Sequence, residues 1–169
     1  MREKKHDLSK KSDKEIQQWM RNHELAGAIK SSLYRDLVEE AAKRDAGKGL
    51  LDIEKSLAAL VRAAQTQRFV TYGDLAKASA VPWSKARRQM SGAHGHLDRV
   101  LEICHVRGLP MLTALCVNES GREGGELELI ALSGFTAAAR RLNHRFTDDR
   151  AFHAAARDEC IAWGATLKS

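Results

Sequence analysis

Apolar residues recur at every third or fourth position through most of the chain, which is the spacing of one face of an α-helix. The clearest case lies between residues 53 and 64, where charged residues fill many of the intervening positions. Six stretches follow this spacing: Ile16, Trp19, Met20 and His23; Tyr34, Leu37, Val38 and Ala41; Ile53, Leu57, Leu60, Val61 and Ala64; Leu97, Val100, Leu101 and Cys104; Phe135, Ala138, Ala139 and Leu142; Phe152, Ala155, Ala156, Cys160 and Trp163. The pattern therefore predicts a mainly α protein.

Residues 68–92 predict two further, shorter helices joined by a tight turn. Thr71 is placed to cap the first helix, and Asp74 three residues later completes a capping box. Pro82 pushes the residue before it out of the helical region, which ends that helix. Ala86 and Met90 face inward in the second helix. The opposite face is polar and mostly basic, with Lys85, Arg88 and Gln89 on it and Arg87 beside them. Two helices at an angle with such a second helix are typical of a DNA-reading helix-turn-helix.

The pattern changes after residue 110. Residues 111–117 form a compact apolar run, residues 118–125 are polar and rich in glycine, and residues 126–132 alternate acidic and apolar side chains. This period and turn composition predict a β-hairpin, although its loop is longer than the commonest hairpin loops. A hairpin after a helix-turn-helix is a wing. The predicted fold is thus mainly α with a small β-hairpin, a winged helix-turn-helix domain with a helical N-terminal extension.

The chain divides into three predicted parts. Residues 1–11 hold five lysines and arginines with almost no apolar content, so we expect a disordered basic tail. Residues 12–50 form the helical N-terminal extension, which begins at a capping serine, Ser12, and ends at a glycine-bearing hinge over residues 45–49. Residues 51–169 form the winged helix-turn-helix domain with its C-terminal helices.

Charge narrows the choice of partner. The net charge of +6 is uneven: residues 68–107 carry seven lysines and arginines against three carboxylates, whereas residues 108–169 carry seven against eight. An excess of basic residues on the predicted helix-turn-helix favours a polyanionic partner. No apolar run reaches the ~20 residues of a membrane span. The three widely spaced cysteines fit neither a disulfide framework nor a metal knuckle, so we expect a cytoplasmic protein in a reducing compartment.

The run TYGDLAK at 71–77, followed by Pro82 and by Ala86 and Arg87, resembles a known family. It is similar to the DNA-binding domain of O6-alkylguanine-DNA alkyltransferases and alkyltransferase-like proteins, over residues 57 to about 118. The resemblance implies a winged helix-turn-helix that binds DNA through the minor groove. It also implies that Tyr72 lies against the phosphate of a rotated nucleotide, and that Arg87 fills the space left by an extruded base.

The chain departs from this family at the active site. The alkyltransferases carry a Pro-Cys-His-Arg segment whose cysteine accepts the alkyl group, and this chain has none. Its only Cys-His pair is Cys104-His105, while the region that corresponds to the nucleophile contains Cys116. Buried cysteines usually act as small apolar residues, which is the favoured interpretation of Cys104, Cys116 and Cys160. The alternative is a reactive thiol at Cys104 or Cys116.

Two other groups allow two interpretations each. Asp98, Glu102 and His105 share one helix face, with His94 and His96 just upstream. A metal site there is conceivable, but we favour a solvated face because no second group of ligands completes it. Likewise, an exposed tryptophan stacks well on a nucleobase, but a tryptophan at a helix start more often closes the core, which we favour for Trp83.

These observations predict a DNA-binding protein, with duplex DNA favoured. The candidate DNA-binding residues are Tyr72, Lys85, Arg87, Arg88 and Gln89. We expect no metal, no small-molecule cofactor and no membrane partner. One alternative is a diverged alkyltransferase-type repair protein with a cysteine acceptor, so enzymatic activity stays open, with a non-enzyme favoured. The other alternative is a non-catalytic interaction module that forms a homodimer through the N-terminal helices.

Overall fold

The computed structural model describes residues 5–48 and 51–167, and within them the protein is mainly helical, as predicted. Its helices and strands are, in chain order, α1 (Asp13–Leu25), α2 (Ser32–Gly47), α3 (Ile53–Thr66), β1 (Val70–Thr71), α4 (Tyr72–Ala78), α5 (Trp83–Met90), α6 (His96–Val106), β2 (Cys116–Val117), α7 (Leu129–Arg141) and α8 (Asp149–Thr166). Two short 3₁₀ helices, Leu112–Leu115 and Glu119–Gly121, flank β2.

Helix α3 lies at the centre of the packing. It contacts α4, α6, α8 and the first 3₁₀ helix, and its apolar stripe is buried, with Leu60 fully inaccessible. The contact with α8 is especially close, because a Cβ atom placed on Gly164 would lie 2.3 Å from the carbonyl carbon of Ala64. No side chain fits into this distance. A glycine at 164 is therefore what allows the two helices to approach each other.

The effect of a methyl group at this crossing is testable. We expect Gly164→Ala to destabilise the protein by about 2 kcal/mol or more, because the helices must separate to admit it. Gly134→Ala is the matched control: this helical glycine of α7 has no neighbour within 4 Å of an added Cβ. There the substitution adds helix propensity, about 1 kcal/mol at most. Urea unfolding of the three proteins would measure both, and equal effects of the two substitutions would contradict the close approach.

The predicted N-caps form as expected. Ser12 caps α1 in a capping box with Glu15, and Thr71 caps α4 in a second box with Asp74. In each box the side-chain oxygen accepts a hydrogen bond from the third helical N–H, while that residue's carboxylate accepts one from the N–H of the cap. These local signals set the starts of α1 and α4.

The N-terminal residues that the structure describes are ordered by contacts with α2. Leu8 is buried, and the Arg44 guanidinium donates hydrogen bonds to the carbonyl oxygens of Leu8 and Lys11, at 3.0 and 2.7 Å. His6 also contacts the Asp36 carboxylate at 2.8 Å. The predicted disordered tail over residues 1–11 is thus wrong for residues 5–11, where one buried leucine and an arginine from α2 hold the backbone. Residues 1–4 lie outside the described residues.

Helices α1 and α2 belong to the same core as the rest of the protein. Their apolar stripes face α6 or each other, and the buried apolar residues form one cluster that extends from Leu8 to Cys160. The predicted boundary at residue 50 therefore does not separate two cores. The proposed hinge begins inside α2, which continues to Gly47, and Gly49 lies outside the described residues.

The predicted β-hairpin is wrong. The two-stranded sheet is parallel and joins β1 to β2, with Val70 paired to Cys116 and Thr71 to Val117. Residues 118–128 do not project as a wing but fold back on the protein. Gly125, at φ 76°, lies so close to the Phe69 ring that an added Cβ would be 2.3 Å from it. The Arg157 guanidinium donates a hydrogen bond to the Gly125 carbonyl at 2.6 Å.

The second half of the predicted hairpin is helical. Its alternating acidic and apolar residues lead into α7, and Glu128 takes the N-cap position. A run of seven residues with this alternation also fits a helix start, since Leu127 and Leu132 are buried while Leu129 and Ile130 are exposed.

Among the described residues, no helix combines the length and the apolar content that a bilayer crossing requires.

Candidate nucleic-acid interface

The candidate site is built on α4 and α5, which are joined by a four-residue turn. Ser79 ends α4, and Ala80 adopts a left-handed conformation with φ 55°. The Val81 N–H then donates a hydrogen bond to the Ala76 carbonyl at 3.0 Å. Pro82 occupies the N-cap position of α5 in an extended conformation, which is compatible with its fixed φ. The backbone conformation of this turn therefore helps to set the direction of α5.

One face of α5 is anchored in the core, and the rest of the helix faces solvent. Ala86 and Met90 are buried, as predicted, and they hold α5 against α4 and α6. The three cations Lys85, Arg87 and Arg88 are exposed. Within the described part of the chain none of the three side chains has a hydrogen bond or an ion pair. Their charges are therefore available to a partner.

The carboxylates on the elements next to α5 are already paired. Residues 75–97 contain no aspartate or glutamate. In α4, Asp74 is bound by Arg122 at 3.0 Å. The carboxylates of α6 are bound by two further arginines, Asp98 by Arg141 and Glu102 by Arg99. The positive charge of α5 is thus not neutralised by its immediate neighbours.

The Arg122 guanidinium holds the loop of residues 118–128, which contains Glu119, against α4. It bridges the N-terminal end of α4 and the loop, since it contacts Asp74 and also binds Glu119 at 2.8 Å. The same side chain donates to the Thr71 hydroxyl at 3.3 Å. The loop that sequence patterns place at the tip of a wing is therefore fastened beside β1 and α4.

The remaining two candidate residues differ from the three cations. Gln89 is half-buried, and its Oε1 atom is buried without a hydrogen-bond partner among the described residues. Tyr72 is half-buried in the first turn of α4, at the end of that helix away from the turn. Burial raises the pKa of the Tyr72 phenol, and the nearby Cys116 and Glu128 raise it further. The structure thus places Lys85, Arg87 and Arg88 on α5 and Tyr72 on α4.

Trp83 is the surface residue that the pattern assigned to the wrong environment. It was expected in the core, but it is 47% exposed at the first position of α5. Its spacing from Ala86 and Met90 places it on the buried side of the helix, which is why the periodicity favours the core. The helix begins there, however, and no element covers this first turn sufficiently to bury the indole.

All three cysteines are free and buried, as favoured from the sequence. Burial raises the pKa of Cys104 and of Cys160 to about 12 in each case, and it raises the pKa of Cys116 as well. A thiol becomes a good nucleophile as the exposed thiolate. None of these three side chains has the exposure or the lowered pKa that such chemistry needs.

Thiol labelling provides a direct check. We expect the native protein at pH 8 to react with Ellman's reagent far more slowly than a free thiol, because the sulfur atoms are inaccessible and protonated. The same sample in concentrated urea is the control, and there all three cysteines are expected to react. Rapid release of one equivalent of thionitrobenzoate by the native protein would contradict the structural role of the cysteines and reveal a reactive thiol.

The face formed by Asp98, Glu102 and His105 is not a solvated surface. No group of three metal-ligating side chains occurs within the described ranges. Glu102 is buried in a 2.6 Å ion pair with Arg99, and His105 Nε2 lies 3.2 Å from the Ile29 carbonyl oxygen. The interpretation as a solvated face is wrong because α2 and α7 pack against α6, and Asp98 is bound by Arg141 of α7. Burial raises the pKa of Glu102 to about 7.

His96 joins α6 to α3 rather than contributing to a metal site. Its Nε2 atom lies 2.7 Å from the Ser56 hydroxyl, and both side chains are buried. Burial lowers the pKa of His96 to about 4, from an ordinary value of 6.5. The unfolded chain therefore binds a proton below about pH 6.5, whereas the folded chain does so only near pH 4.

This difference makes stability depend on pH with a defined sign. The contribution of neutral His96 is complete above pH 6.5 and is lost as the pH falls from 6.5 towards 4, by about 2.5 kcal/mol at pH 4.5. His96→Gln retains a hydrogen-bonding side chain and should lack this loss. Urea unfolding of both proteins at pH 7 and pH 4.5 measures it, since the other groups titrate alike in the two proteins. The same pH dependence in both would refute the assignment.

Comparison of the chain with family models, with curated proteins and with solved structures finds no match. The roles of Tyr72 and Arg87 that the alkyltransferase resemblance implies therefore stay predictions.

Proposed function

We propose that this protein binds DNA through the exposed cations of α5. The observation that carries the proposal is the contrast in charge pairing around this helix. Lys85, Arg87 and Arg88 have no partner within the described residues, whereas the carboxylates of α4 and α6 are paired with arginines. A surface with unpaired cations and neutralised acids attracts a polyanion.

The arrangement of α4 and α5 favours DNA among polyanions. The second of two short helices joined by a turn presents its outer face, which is how helix-turn-helix proteins place a helix in a groove. Each cation that contacts a phosphate releases counterions, which gives affinity that falls with salt. In the proposed complex α5 enters a groove of the duplex, and no antiparallel wing takes part.

The test is fluorescence anisotropy of a labelled random duplex over a range of salt concentrations. We expect wild-type affinity to fall steeply with salt, and Arg87→Ala/Arg88→Ala to bind at least about tenfold more weakly at low salt. The slope of log K against log salt should decrease in magnitude by about 2, close to one unit per lost phosphate contact.

A charge-matched variant separates a specific surface from net charge. Arg145 and Arg150 are exposed arginines of the segment that leads into α8 and of its first turn. Arg145→Ala/Arg150→Ala removes the same two charges and should retain most of the affinity. Equal losses in the two double variants would refute α5 as the docking surface. An absence of wild-type binding at low salt would refute DNA binding itself.

The two alternatives receive no support from the packing. The apolar stripes of α1 and α2 are buried within one chain, so they do not form a surface for a homodimer. The buried, protonated thiols do not favour a cysteine acceptor. The three free cysteines are consistent with a reducing compartment, and we propose the cytoplasm.

A further inference from the structure

The indole of Trp83 is an exposed aromatic surface at the first turn of α5, beside the basic face of that helix. With 47% of its area accessible, it is one of five large apolar side chains that the described structure leaves exposed. The other four belong to other parts of the chain, namely Leu25, Leu129, Ile130 and Leu167. Trp83 is thus not part of a continuous apolar patch on α5, and a partner that buries apolar surface alone does not fit it.

One cation of α5, Arg87, lies near Trp83 on the helix surface. Arg87 follows Trp83 by four residues, which places it about one turn further along the axis and about 40° around it. Both side chains are exposed, and so is Ser84, directly after Trp83. A ligand that covers the indole therefore meets a guanidinium group one turn along the helix, whereas Lys85 lies on nearly the opposite side.

A flat apolar surface next to cations matches the chemistry of a nucleotide. The indole offers a stacking surface to a base, while the neighbouring Arg87 guanidinium binds a phosphate next to that base. Within a duplex both faces of each base are covered by the neighbouring base pairs, so an internal paired base offers no face to an indole. The matching ligand is an unpaired base.

We propose that Trp83 stacks on an unpaired base, and hence that the protein binds DNA with a single-stranded segment. The inference rests on the proposed function, since it places the phosphates of that segment on the α5 cations. Stacking on an aromatic side chain does not depend strongly on which base is present. Binding to the single strand is therefore expected to be tolerant of sequence.

Two probes test the inference: an oligothymidylate of about 15 nucleotides, and a duplex of the same length. We expect Trp83→Ala to weaken binding of the oligothymidylate by about tenfold and to leave duplex binding within about twofold. Trp83→Phe keeps a smaller aromatic ring and should lie between the wild type and the alanine variant. Because the residue is exposed, these substitutions are not expected to disturb folding, which circular dichroism checks.

Intrinsic fluorescence gives an independent reading of the contact. Stacking on a base quenches an indole, so addition of the oligothymidylate should quench the wild type. Trp83→Phe retains Trp19 and Trp163 and should show little of this quenching. The difference between the two proteins isolates the signal of Trp83.

The outcomes distinguish this inference from the proposed function. Loss of oligothymidylate binding in Trp83→Ala, together with quenching that requires Trp83, supports stacking. Unchanged oligothymidylate affinity in Trp83→Ala, with no quenching, overturns stacking but leaves duplex binding through α5 intact. An equal loss on both probes overturns the preference for an unpaired base. If the wild type binds neither probe at low salt, both the inference and the proposed function fail.

Discussion

The close crossing of α3 and α8 is the constraint on which the rest of the structure depends. Backbone-to-backbone contact between Ala64 and Gly164 leaves no space for a side chain at 164. It fixes α3 along the middle of the protein, and α3 ends three residues later at Gln67, which adopts a left-handed conformation with φ 55°. The chain then enters β1 and, from Thr71, α4. The position of the candidate interface therefore follows from the end of α3.

Arginines perform two different tasks in this protein. Arg99 is buried with Glu102, and the partly exposed Arg122 fastens the loop of residues 118–128 to α4, so both are paired with carboxylates of the same chain. Removing the charges of Arg99 and Glu102 from water is costly, and their paired geometry with further hydrogen bonds offsets the cost. Arg87 and Arg88 make no such pairs within the described residues. This difference, rather than the net charge of +6, is what the proposal of an anionic partner at α5 depends on.

Local signals along the chain predict much of this fold, and contacts between distant residues account for the errors. The capping box of Thr71 and the stripe of α3 are each set by residues within about three turns of one another, and the structure confirms both. The pairing of Val70 with Cys116 joins residues that are far apart in the chain, so residues 111–132 predicted a local hairpin instead. The burial of Glu102 depends in the same way on helices that precede it by many residues.

The candidate site shows the same division at the level of single side chains. The exposure of the α5 cations follows from their positions outside the buried face of Ala86 and Met90, a relation contained in eight consecutive residues. Trp83 lies on the apolar side of that relation, and yet it is exposed because nothing in the folded protein covers the start of the helix sufficiently. Helical periodicity gives the direction of a side chain but not the presence of a neighbour. The loop after β2 is fastened to the N-terminal end of α4 and does not project as a wing, so α5 itself provides the convex basic surface on which the proposed function rests.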